Sequence, residues 1–173
     1  ILFGLALSQK QEGHEVLVIT LRNDEIIARQ LVERGVPVEI LFDDSQLPKY
    51  RITYLLTIIL STPRLFKIAK KVDPDIIHTW MYLADLFGGI VGLFQGKPVI
   101  WGIFSGSLDP RYYSRGTHFL IRICSWLSRK VPKAIVSCSA FGRRTHVEFG
   151  YPAKKTLFIP TGFEVHEKSN SLL

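Results

Sequence analysis

The chain has 173 residues, of which 47% are hydrophobic and 21% are charged, a balance that indicates one globular domain and excludes a disordered or fibrous protein. Its net charge of +7 favours anionic partners such as phosphorylated ligands, anionic lipid head groups or nucleic acid, with a basic solvated surface as the alternative. The longest apolar run, residues 52–60, is too short to span a bilayer. Cys124 and Cys138 lack zinc-ligand spacing and are interpreted as buried thiols of a reducing compartment.

Helix and strand patterns alternate along the chain. Residues 1–12 are predicted to form a helix that ends at Gly13, and the continuous apolar run 16–19 is typical of a strand covered on both faces. A second helix ending at Gly35 and a strand over 36–42 repeat this unit. Later helices are predicted over 48–72 (broken or kinked at Pro63), 82–95, 113–130 and from Ser139 to Gly150, with strands ending near residues 78, 101, 136 and 159. This alternation predicts a Rossmann-like α/β fold with a doubly wound, mostly parallel sheet and helices on both faces.

The helix predicted over 82–95 is unusually rich in small residues, among them Gly88, Gly89 and Gly92. Small residues let a helix approach a sheet closely, because no side chain separates the two backbones. We therefore expect this helix to pack tightly on its sheet, and a glycine-lined ligand approach is the less favoured alternative.

A candidate site lies where the strand near residue 78 ends, because His78 and Trp80 precede the next helix there. In an open parallel sheet, ligands bind at the carboxyl ends of the strands. His78 can accept a proton from a substrate hydroxyl, or orient it, since the pKa of histidine lies near neutrality. Trp80 offers a stacking face for a sugar ring. A histidine that only packs in the core beside a tryptophan is the alternative.

The loop after the strand 99–101 supplies Ser105, Gly106 and Ser107 as a second candidate element. Gly106 would let the backbone approach a ligand, and the serines offer hydroxyl groups. An ordinary glycine–serine turn explains these residues equally well. The loop matches neither the GxxxxGK[ST] nor the GxGxxG phosphate-binding pattern.

Two predicted helices carry basic residues at helical spacing. One face of the 113–130 helix is predicted to hold Arg115, His118, Arg122, Ser125 and Arg129, opposite Phe119, Ile123, Trp126 and Leu127. A second basic stripe consists of Arg64, Lys67, Lys70 and Lys71. A solvated face is the usual explanation, and the alternative is a surface that rests on anionic lipid. Nucleic acid is not expected, since the chain has no helix-turn-helix, RNP-like or zinc pattern.

The C-terminal part pairs Ser139, a predicted helix N-cap, with a turn formed by Ile-Pro-Thr-Gly and followed by Glu164. Within that turn Gly162 is suited to a positive φ. Five segments, in this order and spacing, resemble the N-terminal domain of family-4 glycosyltransferases, which have the GT-B architecture of two Rossmann-like domains. These segments are residues 13–19, 74–78, 98–101, 139–152 and 159–164.

The resemblance implies transfer of a sugar from a nucleotide-sugar donor, commonly with retention of anomeric configuration. It implies an acceptor that is lipid-linked or a cell-envelope glycan, as in lipopolysaccharide or polysaccharide biosynthesis, and a cytoplasmic location that is peripheral on the membrane. Residues 1–173 would form the acceptor-side domain, with the family's first strand before Ile1 and its donor-binding domain after Leu173, so that this chain alone is expected to be inactive. No metal or other cofactor is expected, because the nucleotide sugar is a co-substrate.

The resemblance also assigns roles to residues. His78 is the catalytic or positioning candidate, and the acceptor-binding group is His78, Trp80, Ser105, Gly106 and Ser107. The residues expected to border the interdomain cleft are Ser139, Thr161, Gly162 and Glu164. The chain departs from the family where Trp80 replaces the second histidine of a His-x-His strand end. A non-enzymatic Rossmann-like module that binds an anionic ligand, a membrane surface or a partner protein is the alternative function.

Overall fold

The computed structural model describes residues 1–21, 25–41 and 51–162. The strands are β1 (Val18–Thr20), β2 (Val38–Ile40), β3 (Ile77–Trp80), β4 (Val99–Ile103), β5 (Ala134–Ser137) and β6 (Thr156–Phe158). The helices are α1 (Leu2–Gln11), α2 (Glu25–Glu33), α3 (Arg51–Val72), α4 (Met81–Phe94), α5 (Arg115–Leu127) and α6 (Ala140–Phe149), with a short 3₁₀ helix at Pro110–Tyr112. The predicted alternation of helices and strands is confirmed, with the ends of several elements shifted by a few residues.

All strand pairs run parallel, as expected for a doubly wound fold. β1 pairs with β2, and β3, β4, β5 and β6 form a four-stranded sheet in that order. The two ladders are not hydrogen-bonded to each other within the described residues, which differs from the single sheet that the sequence suggests. They are joined instead by side chains, because Ile19 and Leu21 beside β1 pack in one cluster with Leu83 and Phe87 of α4.

Helix α3 continues through Pro63, so of the two predicted alternatives, a break or a kink, the break does not occur. A proline inside a helix removes one backbone hydrogen bond. Beyond the proline, Leu65 and Ile68 pack in the cluster around Leu41 and Phe87, and this burial offsets the lost hydrogen bond.

No helix in the described part of the chain is both long and apolar enough to cross a bilayer.

Helix ends follow the predicted capping residues. Gly13, Gly35 and Gly150 all have positive φ angles, a conformation that favours glycine at the C-terminal end of a helix. At the start of α6 the Ser139 hydroxyl accepts a hydrogen bond from the Gly142 backbone N–H at 2.9 Å.

The glycines of α4 allow the predicted close contact with the sheet. A Cβ atom added to Gly88 would lie 2.5 Å from Thr79 Cγ2, and one added to Gly89 would lie 3.2 Å from Trp101 Nε1. Thr79 therefore points towards α4. Since side chains alternate along a strand, His78 and Trp80 point to the opposite face of the sheet.

Candidate functional site

His78 is the second residue of β3 and lies opposite Ile100, the second residue of β4, in two neighbouring parallel strands. A Cβ atom added to Gly102 would lie 2.9 Å from Phe104 Cε2, so the glycine leaves room for that ring, and 3.5 Å from His78 Nε2, an ordinary contact distance. Burial lowers the pKa of His78 below its ordinary value, which keeps the imidazole neutral at pH 7. Its Nε2 is buried and has no hydrogen-bond partner among the described residues. A neutral ring nitrogen with unused hydrogen-bonding capacity can hold a hydroxyl group.

Aromatic rings join the ends of β3 and β4. The Trp80 ring stacks on Phe104 with their centroids 4.7 Å apart and their planes inclined by 5°. The Trp80 centroid also lies 4.9 Å from that of His78. Phe104 therefore covers one face of the tryptophan that was expected to be open to a sugar. The sequence reasoning did not single out Phe104, although its position directly after β4 could have indicated it.

The serine-bearing loop is held by its own hydroxyl groups. Ser105 Oγ donates to the Ser107 carbonyl at 2.8 Å and also forms a hydrogen bond with the Tyr113 hydroxyl. The Asp109 backbone N–H donates to Ser107 Oγ at 3.2 Å. Gly106 does not have a positive φ. These bonds support the turn interpretation and show that the serine hydroxyls maintain the shape of the loop.

The start of α6 lies against this loop. A Cβ atom added to Gly142 would lie 3.0 Å from the Ser105 carbonyl oxygen and 2.9 Å from Ser139 Oγ. The N-terminal end of a helix carries a partial positive charge, which favours anionic groups nearby. The structure thus brings Ser139 beside the Ser105 loop. Phe104, which precedes Ser105, stacks on Trp80, and the Trp80 ring lies next to the His78 ring.

The other predicted cleft residues lie farther along the sheet. Thr161 and Gly162 follow β6, which is separated from β4 by β5. Gly162 is exposed and its φ is not positive, so the conformation predicted for it is wrong. A Cβ atom added there would meet no atom of the described residues within 4 Å, so none of those residues requires glycine at this position. Glu164 lies outside the described residues.

A buried polar group beneath the site was missed by the sequence reasoning. Asp85 is fully buried in α4, and its Oδ1 accepts a hydrogen bond from the Thr79 hydroxyl at 2.6 Å. Its Oδ2 is without a hydrogen-bond partner in the described part of the chain. Burial raises the pKa of Asp85 to about 7. A lone acidic residue in an apolar helix was the signal that could have found it.

A second buried contact connects α4 with α6. His146 Nδ1 lies 2.8 Å from the Gly142 carbonyl oxygen, which can only accept, so Nδ1 donates. Burial lowers the pKa of His146, so the ring is neutral and its Nε2 accepts from the Tyr82 hydroxyl at 3.0 Å. The histidine therefore fills a structural role between the two helices that begin at the site.

The predicted basic residues are exposed, but one predicted face is wrong. On α5, Phe119 and Trp126 are 65% and 67% exposed and lie with the arginines, not opposite them. His118 and Ser125 are instead turned towards α6, since His118 packs on the Phe149 ring and Ser125 donates to the Phe149 carbonyl. On α3 the four basic residues Arg64, Lys67, Lys70 and Lys71 are exposed, and Arg64 pairs with Glu39 at 3.8 Å.

Within the described ranges, no cluster of His, Cys, Asp and Glu could hold a metal ion.

Replacing Gly142 with alanine is expected to disturb the contact between α6 and the Ser105 loop. The new Cβ would crowd the Ser105 carbonyl, Ser139 Oγ and Ser137 Oγ, at a cost of about 1–3 kcal/mol in the free energy of unfolding. Urea denaturation measures this loss. Gly4→Ala is the matched control, because it lies in α1 with no atom within 4 Å and should gain about 0.5–1 kcal/mol. Equal effects of the two substitutions would contradict the crowding.

Several solved structures share the fold of this chain. *Anabaena* Alr3699/HepE in complex with UDP has a TM-score of 0.72 and 18% identity, covering 94% of this chain and 40% of that chain. *Acinetobacter baumannii* MurG has a TM-score of 0.59 and 16% identity, with coverages of 99% and 43%. A UDP-N-acetylglucosamine 2-epimerase from *Rickettsia bellii* has a TM-score of 0.61 and 12% identity, with coverages of 91% and 41%. At these identities the likeness shows the fold, and the chain spans about two fifths of each structure.

The sequence itself supplies the family. No curated protein sequence matches the chain. The model of the family described as Glycosyltransferase Family 4, however, matches residues 2–167, which is nearly the whole sequence. An epimerase shares the fold, so the fold alone does not separate sugar transfer from epimerisation, whereas the family match does. The parallel sheet, the strand-end site and this match agree, and the chain belongs to glycosyltransferase family 4.

Proposed function

We propose that this chain is the acceptor-side domain of a retaining glycosyltransferase. In this proposal the enzyme transfers a hexosyl group from a nucleotide-sugar donor to a lipid-linked or cell-envelope glycan acceptor on the cytoplasmic side of the membrane. Family membership supports the transfer reaction, and the HepE structures with UDP and with UDP-glucose support a UDP-sugar as the donor class. Because the chain spans about two fifths of those structures, we place the donor-binding domain outside it and expect the chain alone to be inactive.

The observation that carries the proposal is the neutral His78 ring on β3. Its Nε2 is without a partner in the described part of the chain, although a buried polar atom is normally hydrogen-bonded. An acceptor hydroxyl group would satisfy this nitrogen. Trp80, Gly106 and the loop formed by Ser105 and Ser107 lie along the same edge and would form the wall of the acceptor site.

Retaining transfer requires stabilisation of an oxocarbenium-like transition state and of the departing phosphate more than it requires a strong base. His78 would therefore act by positioning the acceptor hydroxyl. The partial positive charge at the start of α6, beside Ser139, would favour the anionic donor near the Ser105 loop. We propose that Ser139, Thr161, Gly162 and Glu164 border the cleft towards the donor domain.

His78→Ala in the full-length enzyme is expected to lower kcat about 10- to 100-fold, because a mispositioned nucleophile loses reactivity even when it stays bound. His78→Gln keeps a hydrogen-bonding group and should recover part of that loss. Steady-state kinetics with the natural acceptor separate kcat from KM. His14→Ala is the matched control, since His14 is exposed in a turn after α1.

The pH dependence of turnover tests the role of His78 independently. Since burial lowers the pKa of His78, turnover should be flat around neutral pH and should fall only below the ordinary histidine range, where the ring becomes protonated. This acidic limb should vanish in His78→Gln. Normal turnover by His78→Ala on the true acceptor would place the acceptor site elsewhere.

A further inference from the structure

The connection between β3 and α4 is a tight turn without a loop. The strand ends at Trp80 and the helix begins at Met81, so no residue separates the two elements. Met81 has a φ of 70°, in the left-handed region. Among the described residues other than glycine, only Met81 and Asp73 have a positive φ, and aspartate tolerates it better because its short polar side chain can bond locally. The turn that follows Trp80 is therefore strained at Met81.

A buried hydrogen bond spans this strained turn. Thr79 lies before the turn and Asp85 after it, and the Thr79 hydroxyl donates to Asp85 Oδ1 at 2.6 Å. Both side chains are buried, Asp85 completely. The bond joins the third residue of β3 to the fifth residue of α4 and closes a ring of chain that contains Trp80 and Met81. Such a bond restricts the residues between its two ends.

Further contacts hold Thr79 from β4 and from α4. The Thr79 hydroxyl also lies 3.3 Å from the carbonyl oxygen of Ile100, which is the β4 residue opposite His78. The Thr79 methyl group faces Gly88 of α4, where an added Cβ atom would lie 2.5 Å from Cγ2. Because side chains alternate along a strand, the orientation of Thr79 also sets the directions of His78 and Trp80 on the opposite face.

Stability does not account for an acidic residue at position 85. Its Oδ2 has no hydrogen-bond partner in the described part of the chain, and burial of such a carboxyl group costs free energy. An apolar side chain would pack in α4 without this cost. A costly buried polar group beside a strained backbone conformation is typical of a functional site, where strain persists because the surrounding structure holds it.

We propose that Thr79 and Asp85 are positioning residues for the candidate site. Their hydrogen bond holds the strained turn at Met81 closed and thereby fixes the His78 and Trp80 rings. Neither residue would touch the substrate, because both side chains lie between the sheet and α4. The consequence for sugar transfer rests on the proposed function, whereas the control of the two rings does not.

Chemical modification of histidines in the full-length protein tests the positioning without any substrate. Diethyl pyrocarbonate acylates accessible neutral imidazoles, and mass spectrometry follows each histidine separately. His78 should react slowly because its Nε2 is buried. Thr79→Val should accelerate this reaction about 10-fold, since the loss of a buried hydrogen bond favours local opening by roughly that factor. Thr79→Ser keeps the hydroxyl group and should restore the slow reaction.

Two other histidines serve as internal controls. His14 is exposed and reports the activity of the reagent. His146 is fully buried and bonds to Tyr82 of α4, so it reports on the rest of the fold. It should remain slow in Thr79→Val. Equal acceleration of His78 and His146 would mean a general loosening of the protein and would overturn the positioning role.

Met81→Gly tests whether the hydrogen bond acts against the strained turn. Glycine adopts a positive φ without a steric cost, so this variant should unfold at a higher urea concentration than the wild type. In this background Thr79→Val should accelerate the modification of His78 by only about 2- to 3-fold, because the strain that the bond opposes is gone. Met81→Leu keeps the Cβ atom and is the matched control. The same acceleration in both backgrounds would overturn the link to Met81.

Kinetics of the full-length enzyme with the natural acceptor separate this inference from the proposed function. Thr79→Val should lower kcat roughly 10-fold with little change in KM, as expected for a misplaced reactive group, and Thr79→Ser should recover the loss. Unchanged turnover and unchanged His78 reactivity in Thr79→Val, beside inactive His78→Ala, would overturn the positioning and leave the proposed function standing. Normal turnover of His78→Ala, with faster modification of His78 in Thr79→Val, would remove the proposed acceptor site and support the positioning of the ring.

Discussion

Asp85→Asn is expected to remove a large pH dependence from the stability of the protein. Because burial raises the pKa of Asp85 to about 7 in the folded state, against 3.8 ordinarily, the unfolded chain releases this proton first as the pH rises. The free energy of unfolding therefore falls between about pH 4 and pH 7, and the full loss, on the order of 4 kcal/mol, is present above pH 7. Below pH 4 both states are protonated, and the contribution vanishes.

Asparagine keeps an oxygen for the Thr79 hydroxyl and replaces the protonated oxygen with an amide, without a charge to bury. The variant should match the wild type below about pH 4 and exceed it in stability near pH 8. Urea denaturation across this range measures the difference. Asp75→Asn, at an exposed position before β3, should leave the pH dependence intact. A parallel pH profile for Asp85→Asn and the wild type would mean that Asp85 does not titrate as its burial requires.

Trp101→Ala should cost about 3–5 kcal/mol in the free energy of unfolding. The side chain is fully buried in the middle of β4, and its indole lies against Gly89 of α4. Removing it leaves a cavity that the rigid helix–sheet contact cannot close. Trp126→Ala is the matched control, because that side chain is 67% exposed and should change stability by no more than about 0.5 kcal/mol.

Urea titrations followed by circular dichroism give both values without relying on the fluorescence of the deleted residue. A loss under 1 kcal/mol for Trp101→Ala would indicate that α4 and β4 are separated more widely than the Gly89 contact implies.

Local signals in the sequence were enough to predict the order of the helices and strands and the close contact between α4 and the sheet. Apolar runs, capping residues such as Ser139 and terminal glycines such as Gly150 act within a few residues, so their consequences are visible in the sequence. The neighbouring positions of β3 and β4 could also be predicted, because consecutive parallel strands commonly lie side by side in one sheet.

Properties that depend on distant neighbours could not be predicted. The arginines at positions 115 and 122 of α5, and Arg129 two residues after its end, are flanked by 118 and 125 on one side and by 119 and 126 on the other. Periodicity does not tell which flank is buried. Contact with Phe149 of α6 decides it and turns His118 and Ser125 inwards. The same limit applies to Asp85, whose burial is fixed by the approach of Thr79.

The hydrogen bond between Tyr82 and His146 has a mechanical consequence. Tyr82 lies two residues after Trp80, and His146 also holds the Gly142 carbonyl, so the first turns of α4 and α6 are braced against one another through one buried imidazole. A displacement of α6 by whatever packs on its exposed side must therefore pull on the junction that carries His78 and Trp80. The β3–α4 junction and the start of α6 consequently respond to load as one unit.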